Sequence, residues 1–201
     1  MRSKAGLVAQ VRAIVERLAE GRDQRSILDE ALNLISEQSG CESVGIRWKA
    51  EEDYPYYLTR GFGRDFVVME GPLCERDIAG RILRGPDGRP QLACLCGAVI
   101  RGRTDPSVPC FTKAGSFWTN GTTAMLRDDP PGARGIVIRG YCNAVGYESV
   151  TLIPLRTGEH TLGLLQLNRR TPGRFTEKLI TQYEKVAAEI ASALARSLHN
   201  R

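Results

Sequence analysis

Glu148 to Leu155 (ESVTLIPL) and Thr161 to Asn168 (TLGLLQLN) are two apolar, β-rich runs separated only by Arg156-Thr157-Gly158-Glu159-His160. Two such runs around a short Gly-containing loop predict an antiparallel hairpin. Pro154 has no N–H to give a ladder, so its strand is expected to lie at an edge or to bend there. Downstream, Thr176 to Leu198 reads as a long helix with Thr176 as N-cap. Leu179, Tyr183, Val186, Ile190, Ala193 and Ser197 recur in it at roughly seven-residue spacing.

Upstream, helical spacing of Leu7, Val11, Ile14, Val15 and Leu18 predicts helix over residues 5–38, interrupted near Gly21-Arg22-Asp23. It resumes through Ile27, Leu28, Ala31, Leu32 and Ile35, with Asp23 or Ser26 as cap and Gly40 as the stop. Strands are expected at Ser43–Lys49 (SVGIRWK) and Tyr56–Arg60 (YYLTR), with a third at Phe66–Met69. The reading is thus an α+β domain: a central antiparallel sheet of five or six strands, with the N- and C-terminal helices on one face. Residues 1–24 form a helical extension and 25–198 a single domain.

Between the strands lies a breaker-rich insert, about 71–146, with 12 of the 21 glycines, 7 of the 10 prolines and five of the six cysteines. It is expected to form a long irregular cap on the other face of the sheet, tied down by something other than regular structure. No apolar run reaches membrane-span length, and the N-terminus lacks the apolar core of a signal peptide, which predicts a cytoplasmic protein without membrane contact. The net charge of +5 comes from arginines interleaved with acidic residues, so no basic stripe for nucleic acid is present. With only His160 and His199, the chain is poor in histidine for catalysis or metal ligation.

The order of helix, strands, cap, hairpin and helix resembles a GAF domain. So do particular motifs: Gly146 to Val150, Leu152 to Leu155, Leu162 to Asn168, and Phe175-Thr176. The cap segments Leu73-Cys74, Cys94 to Gly97, Gly115 to Asn120 and Cys142-Asn143 resemble a cysteine-containing subgroup attached to bacterial PAS/GAF histidine kinases. The resemblance covers about residues 25–197 and implies a sensory role. No kinase, cyclase or DNA-binding segment follows the last helix, so output is expected through a separate partner protein.

The cysteines allow several chemistries. In an extended segment Cys94 and Cys96 would point to one face, and Cys74 and Cys142 would complete four thiolates for zinc or an iron–sulfur cluster. Arg76, Arg101, Arg103 and Arg139 would favour the thiolates. The alternatives are buried cysteines acting as small apolar residues, as expected for Cys41, or a disulfide. A small-molecule site is expected around Trp118, with Ser116 and Asn120 beside it and Tyr147 and Glu148 opening the hairpin strand. Gln166 and Asn168 are read as edge-exposed. The reading is therefore a non-enzymatic sensor. A cysteine redox enzyme related to free methionine sulfoxide reductases is the alternative, although their Ile-Ala-Cys-Asp-like segment is missing; a ligand-free dimerisation module is another. The apolar stripes at 5–20 and 179–197 predict a homodimer.

Overall fold

The computed structural model describes residues 6–20, 23–128 and 136–199. Helix α1 (Leu7–Val15), with a 3-10 turn at Glu16–Glu20 directly after it, and helix α2 (Gln24–Ser39) precede strands β1 (Ser43–Trp48) and β2 (Tyr56–Arg60). The cap follows: α3 (Arg64–Glu70), α4 (Cys94–Arg101), β3 (Phe117–Thr119), α5 (Thr122–Arg127) and α6 (Tyr141–Ala144). The hairpin β4 (Ser149–Thr157) and β5 (His160–Arg169) and the helix α7 (Glu177–His199) close the chain. The sheet has five strands in the order β2-β1-β5-β4-β3, every neighbouring pair antiparallel. No described helix is long and apolar enough to cross a membrane.

Local chemistry accounts for the boundaries. The Asp23 carboxylate accepts from the Arg25 and Ser26 amides at the start of α2, and Gly40 ends that helix at φ 63°, a left-handed stop that suits glycine. The Thr176 hydroxyl accepts from the Leu179 amide to start α7. Pro154 sits on an inner strand, but β3 pairs only with Val150 to Leu152, so the proline lies beyond its end, where β4 is locally an edge.

The sheet separates two cores. On the helical side Val44, Ile46, Ile153, Leu155, Leu165 and Leu167 meet the stripes of α1, α2 and α7. Leu7, Val11, Val15 and Leu18 are buried there with Ile180, Tyr183, Val186 and Ile190, so the seven-residue stripe is used within one chain. On the cap side Val150, Leu152 and Leu164 meet Phe66, Leu95, Val99 and Phe117.

Two expectations change. Phe66–Met69 is not a strand but most of α3: a short apolar run carries no period of its own, and Phe66 and Glu70 are buried one turn apart. The fifth strand is instead β3, three residues inside the insert, so the cap is not confined to one face but contributes an edge to the sheet.

Candidate functional site

The cap-facing side of β1, β2 and β5 carries a row of polar side chains, buried on β1 and β5 and half-buried on β2. Alternation along β5 sends Leu165 and Leu167 to the helices and Leu164, Gln166 and Asn168 to the cap. β5 is a central strand, so Gln166 and Asn168 are fully buried rather than edge-exposed. On β1 the same alternation buries Arg47 completely. A bulge in the β1–β2 ladder at Ile46/Arg47 pairs Arg47 with Tyr56 and brings both to the cap side.

Arg47 is held without a paired carboxylate. Its Nη1 donates to the Tyr54 and Gly71 carbonyls at 3.1 and 2.9 Å, and its Nη2 to the Glu70 carbonyl at 2.7 Å. The guanidinium therefore caps the C-terminal end of α3, where the helix dipole favours a cation. Its Cζ lies 3.8 Å from the centre of the Tyr56 ring, and its Nε is buried without a partner. The Tyr56 hydroxyl donates to Gln166 Oε1 at 2.9 Å, and Gln166 Nε2 donates to Asn168 Oδ1 at 3.0 Å. Burial holds the Tyr56 phenol well above its ordinary pKa.

Three thiols complete this layer. Cys96 Sγ lies 3.9 Å from Gln166 Oε1, while Gln166 Nε2 and Asn168 Nδ2 point at Cys142 Sγ from 3.9 and 3.7 Å. Sulfur is a weak acceptor, so Asn168 Nδ2 and the second N–H of Gln166 Nε2, whose other N–H bonds Asn168 Oδ1, are poorly served. Burial pushes the Cys96 thiol up to about 12, with Cys94 and Glu70 adding to the rise against Arg47 and Arg139. Burial also raises Cys142 strongly, reinforced by Cys96, Cys94 and Glu70. Nearby arginines are present, as the sequence suggests, but desolvation outweighs them and keeps Cys96 and Cys142 protonated.

Cys96 and Cys142, which touch Gln166 and Asn168 on the sheet, also line a cavity of about 40 Å³ between cap and sheet. Its walls combine Phe117, Val150 and Leu152 of the sheet with Met125, Ile138 and Tyr141 of the cap, and Glu70, Cys94, Cys96 and Cys142 reach it as well. That volume is room for a water molecule or so, at roughly 30 Å³ of liquid volume each. Small-molecule sites are typically about 300–1,000 Å³, so occupation requires the cap to move outward. Glu70 is 4% exposed, with Arg139 Nη1 3.9 Å from its carboxylate. Cys94 begins α4 at φ 61°, a conformation disfavoured for a residue with a Cβ.

The four-thiolate centre expected from the sequence is not assembled. The CxC pair sits on helix α4 rather than on an extended segment, so the spacing that aligns two sulfurs is lost. Cys74 lies elsewhere in the cap, bridged to Leu92, with its sulfur 3.4 Å from the Glu52 carbonyl. Burial and Asp53 push that thiol up to about 11. Among the described residues, no group of three or more His, Cys, Asp or Glu side chains is placed to hold a metal ion, and all six cysteines are free. The donor set does not fit zinc or an iron–sulfur cluster.

The five residues expected at a small-molecule site border the cavity's scaffold rather than its walls. Trp118 packs into the helical core, because alternation along β3 gives the cavity to Phe117. Ser116 is fully buried with an unpartnered hydroxyl. The Asn120 amide bonds the backbone of Phe175 at both N–H and C=O, 2.8 and 2.7 Å. The Tyr147 hydroxyl is 2.6 Å from that of Ser43, and its ring meets Phe62 and Phe66 edge-on. The Glu148 carboxylate accepts from the Thr123 amide and from the Thr122 and Thr123 hydroxyls, capping α5 from outside, which lowers its pKa. The sequence does not single out Arg47 or Glu70, and it offers Tyr56 only as part of an aromatic turn used for packing. An arginine flanked by apolar residues in SVGIRWK was the available signal.

A family model of the GAF domain matches residues 23–194. The chain belongs to the GAF family. No curated protein sequence matches it. Among solved structures it is similar to a GAF domain region from Geobacter sulfurreducens, at 21% identity over 85% of this chain and 92% of that one, TM-score 0.55. It is also similar to the GAF domain of an Acinetobacter phosphoenolpyruvate-protein phosphotransferase, at 14% identity over 95% and 93%, TM-score 0.58. A third is the free methionine-R-sulfoxide reductase of Neisseria meningitidis, at 16% identity over 99% and 96%, TM-score 0.58. At these identities the likeness establishes the shared fold. GAF domains serve sensory or small-molecule-binding roles, and both sensors and reductases share this architecture.

Proposed function

We propose that this protein is a non-catalytic GAF sensor that binds a small, largely apolar molecule between cap and sheet. In this reading it works in the cytoplasm and passes occupancy through its terminal helices to a separate partner protein. The observation that carries the reading is the polar row Arg47–Tyr56–Gln166–Asn168 on the sheet, which reaches a largely apolar cavity through the Cys96 and Cys142 thiols. A sheet face needed only for packing would be filled by aliphatic residues, as the opposite face is. Two amide donors aimed at a weak sulfur acceptor favour a ligand oxygen, a carbonyl or hydroxyl, that displaces Cys142 as the cap opens.

Labelled methionine methyl groups give a direct test, because the chain has three methionines: Met1, the exposed Met69 and the cavity-wall Met125. On titration with a panel of neutral carbonyl compounds, a ligand in the cap should shift Met125 and leave Met69 still. The Gln166→Leu variant should lose that response. Shifts at Met69 alone, or binding unaffected by Gln166→Leu, would move the site elsewhere.

The three thiols at one cavity give the redox-enzyme reading a specific basis. It requires an accessible thiolate, however, and the Cys96 value near 12 leaves it protonated at neutral pH. Assay with free methionine-R-sulfoxide and a dithiol reductant should show no turnover; cysteine-dependent turnover would establish the enzyme.

A further inference from the structure

We infer that β3 is the element that transmits the state of the cap cavity to α7, with Asn120 as its latch. This rests on the reading of the cavity as a ligand site and identifies how that site reaches the output helix.

β3 is three residues long and bonded to the sheet on one side only, by β4; its other edge meets only the loop bridge Phe111–Phe117, with the Trp118 amide donating to the Cys110 carbonyl. Its side chains divide between the two cores: Phe117 forms a cavity wall, and Trp118 packs on the helical side. Both of its flanks are tied to α7 or to the residues just before it. On one side Thr112 Oγ1 donates to the Glu184 carboxylate at 2.5 Å. On the other, Asn120 Nδ2 donates to the Phe175 carbonyl and its Oδ1 accepts from the Phe175 amide, while the Gly173 amide donates to the Asn120 carbonyl at 3.3 Å. Phe175 is itself buried in the helical core at the foot of α7.

A two-point amide clamp fixes both position and orientation of the segment it holds, as a single hydrogen bond does not. Displacement of Phe117 by a ligand therefore moves a strand whose ends are fastened to Phe175 and Glu184. Strands β1 and β5 are held on both sides over most of their length and cannot shift without breaking ladders, whereas β4 is held on both sides only over Val150 to Leu152, where β3 meets it. Packed elements respond as units rather than by continuous deformation, so a small shift of β3 reappears as a change at the first turns of α7.

The test varies the cavity by substitution and needs no ligand. Hydrogen–deuterium exchange over residues 176–185 is compared in the unaltered protein, Phe117→Ala, Asn120→Ala and the double variant, with Phe117→Leu as a milder cavity change should Phe117→Ala fail to fold. Phe117→Ala (or →Leu) should raise exchange at 176–185 several-fold. In the Asn120→Ala background the same substitution should add nothing there, although exchange in α5 still rises. Thr112→Val should weaken the coupling without abolishing it. Independent, multiplying effects, or an unchanged 176–185 segment in Phe117→Ala, would overturn the inference. Such a failure leaves the ligand reading intact, and a failure to find a ligand leaves this coupling intact.

Discussion

The two faces of one five-stranded sheet are built from opposite chemistries. Toward α1, α2 and α7 the strands present Val, Ile and Leu, and the core is closed. Toward the cap the alternate positions of the same strands mix Val150, Leu152 and Leu164 with Arg47, Gln166 and Asn168, backed by thiols and aromatic rings around a small cavity. Adjacent residues of β5 belong to different worlds: Leu165 to the first, Gln166 to the second. One face is organised for stability, and the other gives up some stability for recognition.

The comparison can be broken most forcefully at β5. Leu165→Ala removes a fully buried side chain from the closed core and should cost about 2–5 kcal/mol, read as a lowered denaturant midpoint. Its neighbour Gln166→Leu keeps the volume but strips partners from Tyr56 and Asn168. It should cost less, about 1–3 kcal/mol, and spare the helical core. Equal losses from both would mean that the cap face is as structural as the other.

Alkaline pH sharpens the contrast next. The Cys96 thiol is raised to about 12 in the fold from an ordinary value of 9.0, so it stays protonated when the unfolded chain has begun to ionise. The unfolded state then binds fewer protons, and stability falls as pH rises from about 9 to about 12, by up to about 1.4 kcal/mol per pH unit for one such thiol. Cys96→Ala should flatten that slope in a pH series of urea melts. A Cys41→Ala change, on the helical side, should flatten it less, since Cys41 is raised without so large a shift.

A smaller effect concerns accessibility. Cys94, half-buried at the cavity rim, should react with a maleimide before Cys96, which should react only as the cap opens. Peptide mapping after graded labelling reads the order.

Much of this fold was legible because its long elements carry their periods openly. The β4–β5 hairpin, the caps Asp23 and Thr176 and the stop at Gly40 needed only local chemistry. What was not legible depends on which side a residue faces. Trp118 looked like a cavity residue, but one step along β3 the cavity belongs to Phe117. Cys94 and Cys96 looked paired in an extended segment, and a helix turned the spacing into something else. Arg47 carried no motif; its role arises from carbonyls contributed by Tyr54, Glu70 and Gly71, which the chain brings together only on folding. Gln166 was visible as a polar residue on an apolar strand, but its burial followed from β5 being central.

Native-state hydrogen exchange tests the division between the faces most directly. Amides of α4, α5 and α6 should exchange through a cap opening well below the global unfolding free energy, with little sensitivity to denaturant. Amides of α2, of α7 beyond its first turns and of β5 should exchange only with global unfolding. A single free energy shared by cap and helical layer would contradict the account, because a cap that never opens alone could not admit a ligand to a cavity of about 40 Å³.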